Sequence, residues 1–279
     1  MIRVVTDSNS QIPDELVERY GVTVVPLTVT VDGDDFLEGE ELDADAFYTR
    51  FEGGGTPTVS TSQPSPGRFG EVYARLAAEG ATEILSIHIG AGVSGTLNSA
   101  RLAADGAPVP VRLVDTGTAS FGVACCVWEA AEALAAGASV EDAAVVAEEL
   151  AVTIGNVFVV RALDLARAGG RLSAGTEAPA DGIPVLSLVG AELKSVGSAR
   201  DVDEAAEVMA DYVVLAGDGL RVAVGIADAA AAPLWQALED RLVAAPQVRE
   251  VVRYRVGPSV GAHTGPGTAG AFFYPSRST

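Results

Sequence analysis

The residues best suited to chemistry in this chain lie in a glycine- and proline-rich segment near its end. Residues 256–267 hold His263, one of two histidines, with Thr264 beside it. Glycine and proline fix sharp turns and leave backbone N–H groups uncovered, so a ligand can approach them while an imidazole and a hydroxyl point at it. The segment therefore predicts an anion pocket, and the alternative is a tight hairpin that carries a surface histidine.

A second glycine-rich loop follows a predicted strand and contains the pattern G-x-G-x-x-G at Gly90, Gly92 and Gly95. Asp115 ends the next predicted strand, where an acidic residue would meet the ribose of a dinucleotide. The fingerprint usually opens the first strand of its domain, whereas several elements precede this loop. An ATP phosphate loop is disfavoured, because Thr96 and not lysine follows the last glycine.

Ser94 in the same loop is a candidate nucleophile. The chain order of an α/β-hydrolase triad is met by Ser94, then Asp115 or Asp228, then His263. A nucleophile elbow normally has glycine two places after the serine, where this chain has Thr96. The other interpretation makes Ser94 a helix N-cap, whose hydroxyl and neighbouring free amides suit a carboxylate or phosphate.

Hydroxyl-rich segments follow further predicted strands. Thr6-Asp7-Ser8 ends the first strand, residues 60–66 follow another, and residues 115–120 a third. Ligands gather outside the carboxyl ends of strands in open parallel sheets. We therefore expect these segments and the Ser94 loop to lie along one edge of a single sheet.

Short apolar runs alternate with helical periodicity through the first half of the chain, which predicts a parallel sheet with right-handed crossovers. From Val157 the pattern changes to a second α+β unit. The predicted fold is α/β with two domains, 1–157 with the parallel sheet and 158–279 with a mixed sheet. Predicted strands lie at 2–5, 22–31 (interrupted by Pro26), 58–61, 83–89, 109–114, 157–160, 222–226, 249–256 and 269–274. Predicted helices lie at 13–20, 43–51, 65–79, 95–104, 120–136, 140–154, 203–215 and 233–243, with an acidic turn region at 32–41.

The composition narrows the classes of partner. The chain has 279 residues, 48% of them hydrophobic, and a net charge of −20. This charge repels nucleic acid backbones and anionic membrane surfaces. Cys125 and Cys126 are adjacent in an apolar stretch, without metal-ligand spacing, and are expected to be buried thiols in a reducing compartment. No apolar run reaches the roughly 18 residues of a membrane span, so we expect a cytosolic protein.

Taken together, the motifs resemble the DegV family of bacterial fatty-acid-binding proteins, some of which are the acyl-carrying subunit of a fatty acid kinase. The similarity runs from residue 6 to residue 267, in the order and at about the spacing of the family. The matching segments are Thr6-Asp7-Ser8, residues 61–65, Ser94-Gly95-Thr96, Asp115-Thr116, residues 169–173 and residues 261–267.

The resemblance implies a non-enzymatic lipid carrier that holds a long-chain fatty acid, such as palmitate or oleate, in a tunnel between two domains and needs no cofactor or metal. It implies that a fatty acid kinase phosphorylates the presented carboxylate. Thr61, Ser62 and Ser94 would hydrogen-bond that carboxylate, and His263 would close over it. Supporting residues would be Gly95, Thr96, Thr264 and Gly265, with Arg171 and Arg200 at the interdomain mouth.

The chain departs from the family pattern at two places. Gly90-Ala91 stands where the family commonly has two serines, so fewer hydroxyls surround the head group. Ile183-Pro184 stands where the family often has Lys-Pro, which removes a cation from the surface where a kinase would dock. Arg171 and Arg200 each have a second interpretation as half of a structural ion pair. The serine hydrolase and dinucleotide hypotheses remain the alternatives.

Overall fold

The computed structural model describes residues 1–160, 182–189 and 192–276. The strands are β1 (Ile2–Asp7), β2 (Thr23–Val25), β3 (Thr28–Val31), β4 (Asp34–Leu37), β5 (Val59–Ser62), β6 (Glu83–His88), β7 (Val111–Asp115), β8 (Gly155–Val159), β9 (Ile183–Val189), β10 (Glu192–Ala199), β11 (Leu220–Ile226), β12 (Val248–Arg255) and β13 (Ala269–Pro275). The α-helices are α1 (Asp14–Tyr20), α2 (Ala44–Thr49), α3 (Pro66–Ala78), α4 (Thr96–Ala104), α5 (Phe121–Ala135), α6 (Val140–Ala151), α7 (Val202–Val214), α8 (Ala232–Ala244) and α9 (Pro258–Thr264).

The chain divides into two compact units, the first made of residues 1–42 and 58–153 and the second of residues 43–57 and 154–279. The sequence placed residues 43–57 in the first domain. In the structure these residues carry α2, and Asp45 Oδ1 accepts a hydrogen bond from Arg255 Nη2 at 2.6 Å. Tyr48 of α2 also packs closely on Gly261. These contacts explain why the segment groups with the second unit, while the limits 1–157 and 158–279 stay a prediction.

The first unit contains the predicted parallel sheet, with strand order β2-β1-β6-β7 and every pair parallel. Its central strand β6 is buried from Ile84 to His88, as expected for a parallel strand covered on both faces. Phe69, Tyr73 and Leu76 of α3 pack in the core beside Ile84. The α/β fold class with a parallel sheet is confirmed.

A second, antiparallel sheet of the first unit has the order β4-β3-β5, and the sequence did not predict it. The predicted strand at 22–31 is two strands in two sheets, because Pro26 has no N–H to donate to a ladder. The predicted acidic turn at 32–41 contains β4. The expectation of one shared sheet edge is therefore wrong for β5, which lies outside the parallel sheet.

Helix α5 is buried on all sides from Phe121 to Ala131, as expected of a helix that is apolar all round. Cys125 and Cys126 lie within it as buried residues, and neither forms a disulfide, as predicted. Burial raises the pKa of the Cys126 thiol to about 12.

The second unit is built on the predicted mixed sheet, with strand order β10-β9-β8-β13-β11-β12. The pair β11–β12 is parallel and its other pairs are antiparallel. Val222, Leu238 and Met209 belong to its buried core. Arg171 and the rest of the 169–173 segment lie outside the described residues. Across the part of the chain that is described, the helices are too short or too polar to span a bilayer.

Candidate ligand site in the loops of the first unit

The loop that follows β6 carries Ser94 and is fastened to its neighbours by backbone hydrogen bonds. Ile89 N–H donates to Asp7 Oδ2 at 3.1 Å, and Gly90 N–H donates to Thr118 O at 2.8 Å. Ala91 N–H donates to Asp115 Oδ1 at 3.1 Å. The loop is therefore held in place before the chain reaches Ser94.

Gly90 and Asp115, two residues of the proposed dinucleotide site, have structural roles that involve no nucleotide. A Cβ on Gly90 would lie 2.7 Å from the carbonyl carbon of Gly117, so the two loops pack backbone to backbone. A Cβ on Gly92 would meet nothing within 4 Å. Asp115 Oδ1 accepts N–H groups from both loops and so has a structural role in place of a ribose contact. These contacts disfavour the dinucleotide hypothesis.

Ser94 and Thr96 form a pair of hydroxyls at the start of α4. Ser94 Oγ lies 2.8 Å from Thr96 Oγ1 and accepts Thr96 N–H at 3.2 Å. The helix N-cap itself is Gly95, and Ser94 provides its hydroxyl from one residue earlier. Two hydroxyls that share one hydrogen bond keep one O–H for another acceptor, within the described residues. Ser94 is half-buried and Thr96 is buried, so the spare donor can be presented through Ser94.

Thr61 and Ser62 are the last two residues of β5. In register, Thr61 lies opposite Val29 and Ser62 opposite Thr28 on β3. Adjacent strand residues point to opposite faces, and the burial follows this alternation, with Thr61 half-buried and Ser62 exposed. The two hydroxyls are therefore in different environments, although the sequence treated them as equivalent.

A buried chain of hydrogen bonds in the first unit escaped the sequence analysis. Asp7 Oδ2 lies 2.9 Å from His88 Nδ1, His88 Nε2 lies 2.7 Å from Ser86 Oγ, and Ser86 Oγ lies 2.9 Å from Tyr73 Oη. Ser86 and His88 are two apart on β6 and share a face, and this spacing was the available signal. Asp7 joins them only through the parallel pairing of β1 with β6.

The direction of this chain follows from its end groups. A carboxylate only accepts, so His88 Nδ1–H donates to Asp7. Tyr73 has no other hydrogen-bond partner among the described residues, so its O–H donates to Ser86 and Ser86 O–H donates to His88 Nε2. Although Ser, His and Asp are thus assembled in order, Asp7, Ser86 and His88 are each 0% exposed. Substrate has no access to this serine, and the set is structural.

The carboxylate of Asp7 ties together loops that leave the same edge of the parallel sheet. Its oxygens accept N–H groups from Asn9 at 3.2 Å and Ile89 at 3.1 Å. Asn9 Oδ1 in turn accepts Ser120 N–H at 2.8 Å. Ser120 is a non-glycine residue with φ of 56°, a strained backbone at the start of α5. The loops after β1, β6 and β7 are thus fixed by one polar network.

In the second unit, His263 lies in the last turn of α9, and the prediction of an open glycine-proline loop there is wrong. Pro258 is tolerated in the first helical turn. Gly261 is needed because a Cβ there would lie 2.5 Å from Tyr48 Oη. The amides of Gly261 and Gly265 bond within this segment, to Gly257 O and Gly261 O at 2.8 Å each. These two amides are not available as anion donors.

Thr264 and Gly265 close α9. Thr264 Oγ1 donates to Val260 O at 3.3 Å, so its hydroxyl is directed at its own helix. Gly265 has φ of 73°, a left-handed conformation that glycine adopts without strain. Asp228, a triad candidate, accepts Gly267 N–H at 2.9 Å and so supports the segment after the helix. This contact disfavours the hydrolase hypothesis, as does the bonding of Ser94 to Thr96.

Arg200 forms the ion pair that its second interpretation predicted. Its Nε donates to Glu204 Oε2 at 2.8 Å, and its backbone N–H donates to the same oxygen at 2.7 Å. The hydrogen bond raises the pKa of the Arg200 guanidinium and lowers the pKa of Glu204. The Arg200 side chain is 87% exposed, so it can exchange this partner for another at little cost.

The family model described as "Uncharacterised protein, DegV family" matches residues 1–276. The chain belongs to the DegV family. A DegV domain-containing protein of Streptomyces coelicolor is 35% identical to it over 273 residues, 96% of each chain.

Two solved DegV structures share the whole fold. A Thermus thermophilus DegV family protein, described by its fatty acid binding, is 34% identical and aligns with a TM-score of 0.87 over 99% of each chain. DegV of Bacillus subtilis, described as a fatty acid binding protein, is 27% identical with a TM-score of 0.85, also over 99% of each chain. The DegV resemblance seen in the sequence motifs is confirmed.

Proposed function

We propose that this DegV family protein is a non-enzymatic carrier of a long-chain fatty acid such as palmitate or oleate. One observation carries the proposal: the Thermus thermophilus and Bacillus subtilis proteins, which are described as binding fatty acid, match 99% of this chain at 34% and 27% identity. Cys125 and Cys126 are buried and form no disulfide, which supports the cytosolic location that the proposal includes.

The proposed head-group ligands are Thr61, Ser62, Ser94 and His263. Ser94 is the best supported, because it shares one hydrogen bond with Thr96 and leaves an O–H to donate. A carboxylate that loses water needs such donors, since an unpaired buried polar group costs about 1–3 kcal/mol and a charged one more. Gly95, Thr96, Thr264 and Gly265 support these side chains, while Arg171 and Arg200 are kept as cations near the entrance.

The acyl chain supplies most of the proposed affinity. Burial contributes about 0.8 kcal/mol per methylene, so a sixteen-carbon chain gains on the order of 10 kcal/mol before the cost of ordering is subtracted. The polar end fixes orientation and adds less. The proposal therefore predicts that a fatty acid stays bound during purification.

The finer proposal is that a fatty acid kinase acts on the bound acid. A carboxylate oxygen attacks the γ-phosphorus of ATP, an O–P bond forms, the bond from that phosphorus to the bridging oxygen breaks, and ADP leaves. ATP and Mg²⁺ would bind on the kinase. The test is transfer of labelled γ-phosphate to palmitate in the presence of a bacterial fatty acid kinase catalytic subunit. Labelled acyl phosphate is expected with loaded protein, and its absence with loaded protein contradicts the kinase role alone.

Native mass spectrometry tests the carrier function directly. Protein purified from bacteria is expected to carry the mass of a C14–C18 acid, and delipidated protein is expected to regain it from palmitate or oleate. Protein that arrives empty and stays empty after incubation with either acid contradicts the proposal.

His263→Ala tests the proposed donor of the second unit. Loss of a charge-assisted hydrogen bond is expected to weaken palmitate binding by about 1.5–3 kcal/mol, roughly ten- to a hundredfold. Calorimetry at pH 7 compares the variant with the parent. If the variant binds palmitate with the affinity of the parent, His263 does not bind the head group and serves only at the end of α9.

A further inference from the structure

The carboxamide of Gln63 occupies the space that a side chain at Gly95 would fill. A Cβ built on Gly95 would be 2.6 Å from Gln63 Nε2, 2.8 Å from Cδ and 3.0 Å from Oε1. Because these three distances are nearly equal, the Cβ position lies over the face of the amide plane. If it lay in that plane beyond the nitrogen and oxygen, Cδ would be the farthest of the three atoms. A side chain at Gly95 would therefore have to displace the amide.

Because the amide of Gln63 meets Gly95 through its face, its N–H groups and its oxygen remain available for hydrogen bonds. Gln63 is exposed, and within the described residues no side chain or backbone group hydrogen-bonds its carboxamide. Gln63 also lines an open cavity of about 230 Å³ with Thr28, Ser65 and Arg68, so there is room for ligand atoms beside it. A side chain whose two N–H donors and one acceptor make no hydrogen bond within the described residues thus lies next to the Ser94 loop.

The contact joins parts of the chain that belong to different sheets. Gln63 directly follows β5 of the antiparallel sheet, while Gly95 is the N-cap of α4, after the parallel strand β6. The proposed ligands Ser62 and Ser94 are the sequence neighbours of Gln63 and Gly95. The amide is therefore held between the two hydroxyl-bearing segments of the proposed head-group site.

We propose that Gln63 is a further ligand of the head group, donating an Nε2–H to the anion that Ser94 binds. The proposal rests on the proposed fatty acid binding and adds a residue that discriminates an anionic head group. A neutral amide suits this role, because it offers donors to a carboxylate without the desolvation cost of a cation.

Substitutions of similar size separate hydrogen bonding from packing. Gln63→Met keeps the volume and loses the donors, and it is expected to weaken palmitate binding about three- to tenfold. Gln63→Glu adds a negative charge beside the bound anion and is expected to weaken it more, by about tenfold or greater. Calorimetry at pH 7 measures both. Parental affinity in either variant, or equal losses in the two, overturns the role of Gln63.

Gly95→Ala and Gly92→Ala give a matched pair in the same loop. The methyl at Gly95 pushes the Gln63 amide aside, while the methyl at Gly92 meets open space. Gly95→Ala is expected to weaken palmitate binding as much as Gln63→Met does. In a protein that already carries Gln63→Ala, Gly95→Ala is expected to cause no further loss. Gly92→Ala is expected to bind palmitate like the parent. Equal effects at the two glycines overturn the proposal. A parent that binds no palmitate overturns the proposed function as well, so the two failures are distinguishable.

Discussion

Two polar regions of the first unit use the same residue types and differ in their access to solvent. Ser86 and His88 are fully buried, and each of their polar side-chain atoms is engaged in the chain from Tyr73 to Asp7. Ser94, a few residues later, is half-buried and shares with Thr96 a hydroxyl pair that keeps one O–H to donate.

The comparison shows that residue type alone does not identify a binding site. A buried network with every donor paired stabilises the fold and has no capacity left for a ligand. A partly exposed hydroxyl with unused donor capacity contributes little to stability and is available to an anion. The same serine chemistry therefore predicts loss of stability in one region and loss of affinity in the other.

The largest expected effect is that of Asp7→Ala on stability. The substitution leaves two N–H groups and His88 Nδ1–H without an acceptor in the core, so the free energy of unfolding should fall by about 3–5 kcal/mol. Asp115→Ala is the matched control, because Asp115 also accepts two backbone N–H groups but is exposed. Water can replace that carboxylate, so a loss of about 1 kcal/mol is expected. Urea unfolding measures both, and equal losses would show that the Asp7 network is not special.

A crossed experiment on two serines comes next. Ser86→Ala removes the acceptor for Tyr73 and the donor to His88, and should lower the unfolding free energy by about 2–3 kcal/mol. Ser94→Ala removes the acceptor for Thr96 N–H, so it should lower the unfolding free energy by only about 1 kcal/mol. It should also weaken palmitate binding by about 1.5–3 kcal/mol. Urea unfolding measures the stability of both variants, and calorimetry measures their affinity for palmitate. A large loss of stability in Ser94→Ala would break the comparison.

Tyr73 provides a pH-dependent test of the buried hydrogen-bond chain from Tyr73 to Asp7. Burial raises the pKa of Tyr73 to about 12, against 10.0 for the free side chain, while the Ser86 hydrogen bond acts in the opposite direction. The folded state keeps the proton that the unfolded chain releases, so stability is present below pH 10 and is lost as the pH rises towards 12, by about 1.4 kcal/mol per pH unit. Tyr73→Phe should reduce this slope between pH 10 and 11, measured by urea unfolding. An unchanged slope would assign the alkaline loss to Cys126, whose pKa is shifted in the same direction.

The smallest expected difference separates Thr61 from Ser62. Thr61→Val should weaken palmitate binding by about 1 kcal/mol more than Ser62→Ala does, because Thr61 is half-buried and water cannot easily replace its donor. Ser62→Ala acts on an exposed hydroxyl. Calorimetry on the two variants decides the order. The reverse order would place the head group on the exposed face of β5.

Several features follow from local sequence patterns. The buried apolar run of β6 and the helices around it predicted the parallel sheet. The spacing of the motifs from Thr6 to Gly267 indicated the DegV family, because residues that build one site keep their order and distance along the chain. Pro258 and Gly261, in contrast, predict a loop by their residue types, and the helix forms there because Gly261 packs against Tyr48.

Other features depend on pairing between distant segments, and only the tertiary structure decided them. Asp7 meets His88 because β1 pairs with β6 in parallel, and Gln63 meets Gly95 because two separate sheets bring their ends together. The sequence by itself determined the elements of the parallel sheet, the family and the hydroxyl-bearing segments. Whether a serine can bind a ligand depends on its burial and on the hydrogen-bond partners of its hydroxyl. Long-range packing decides both.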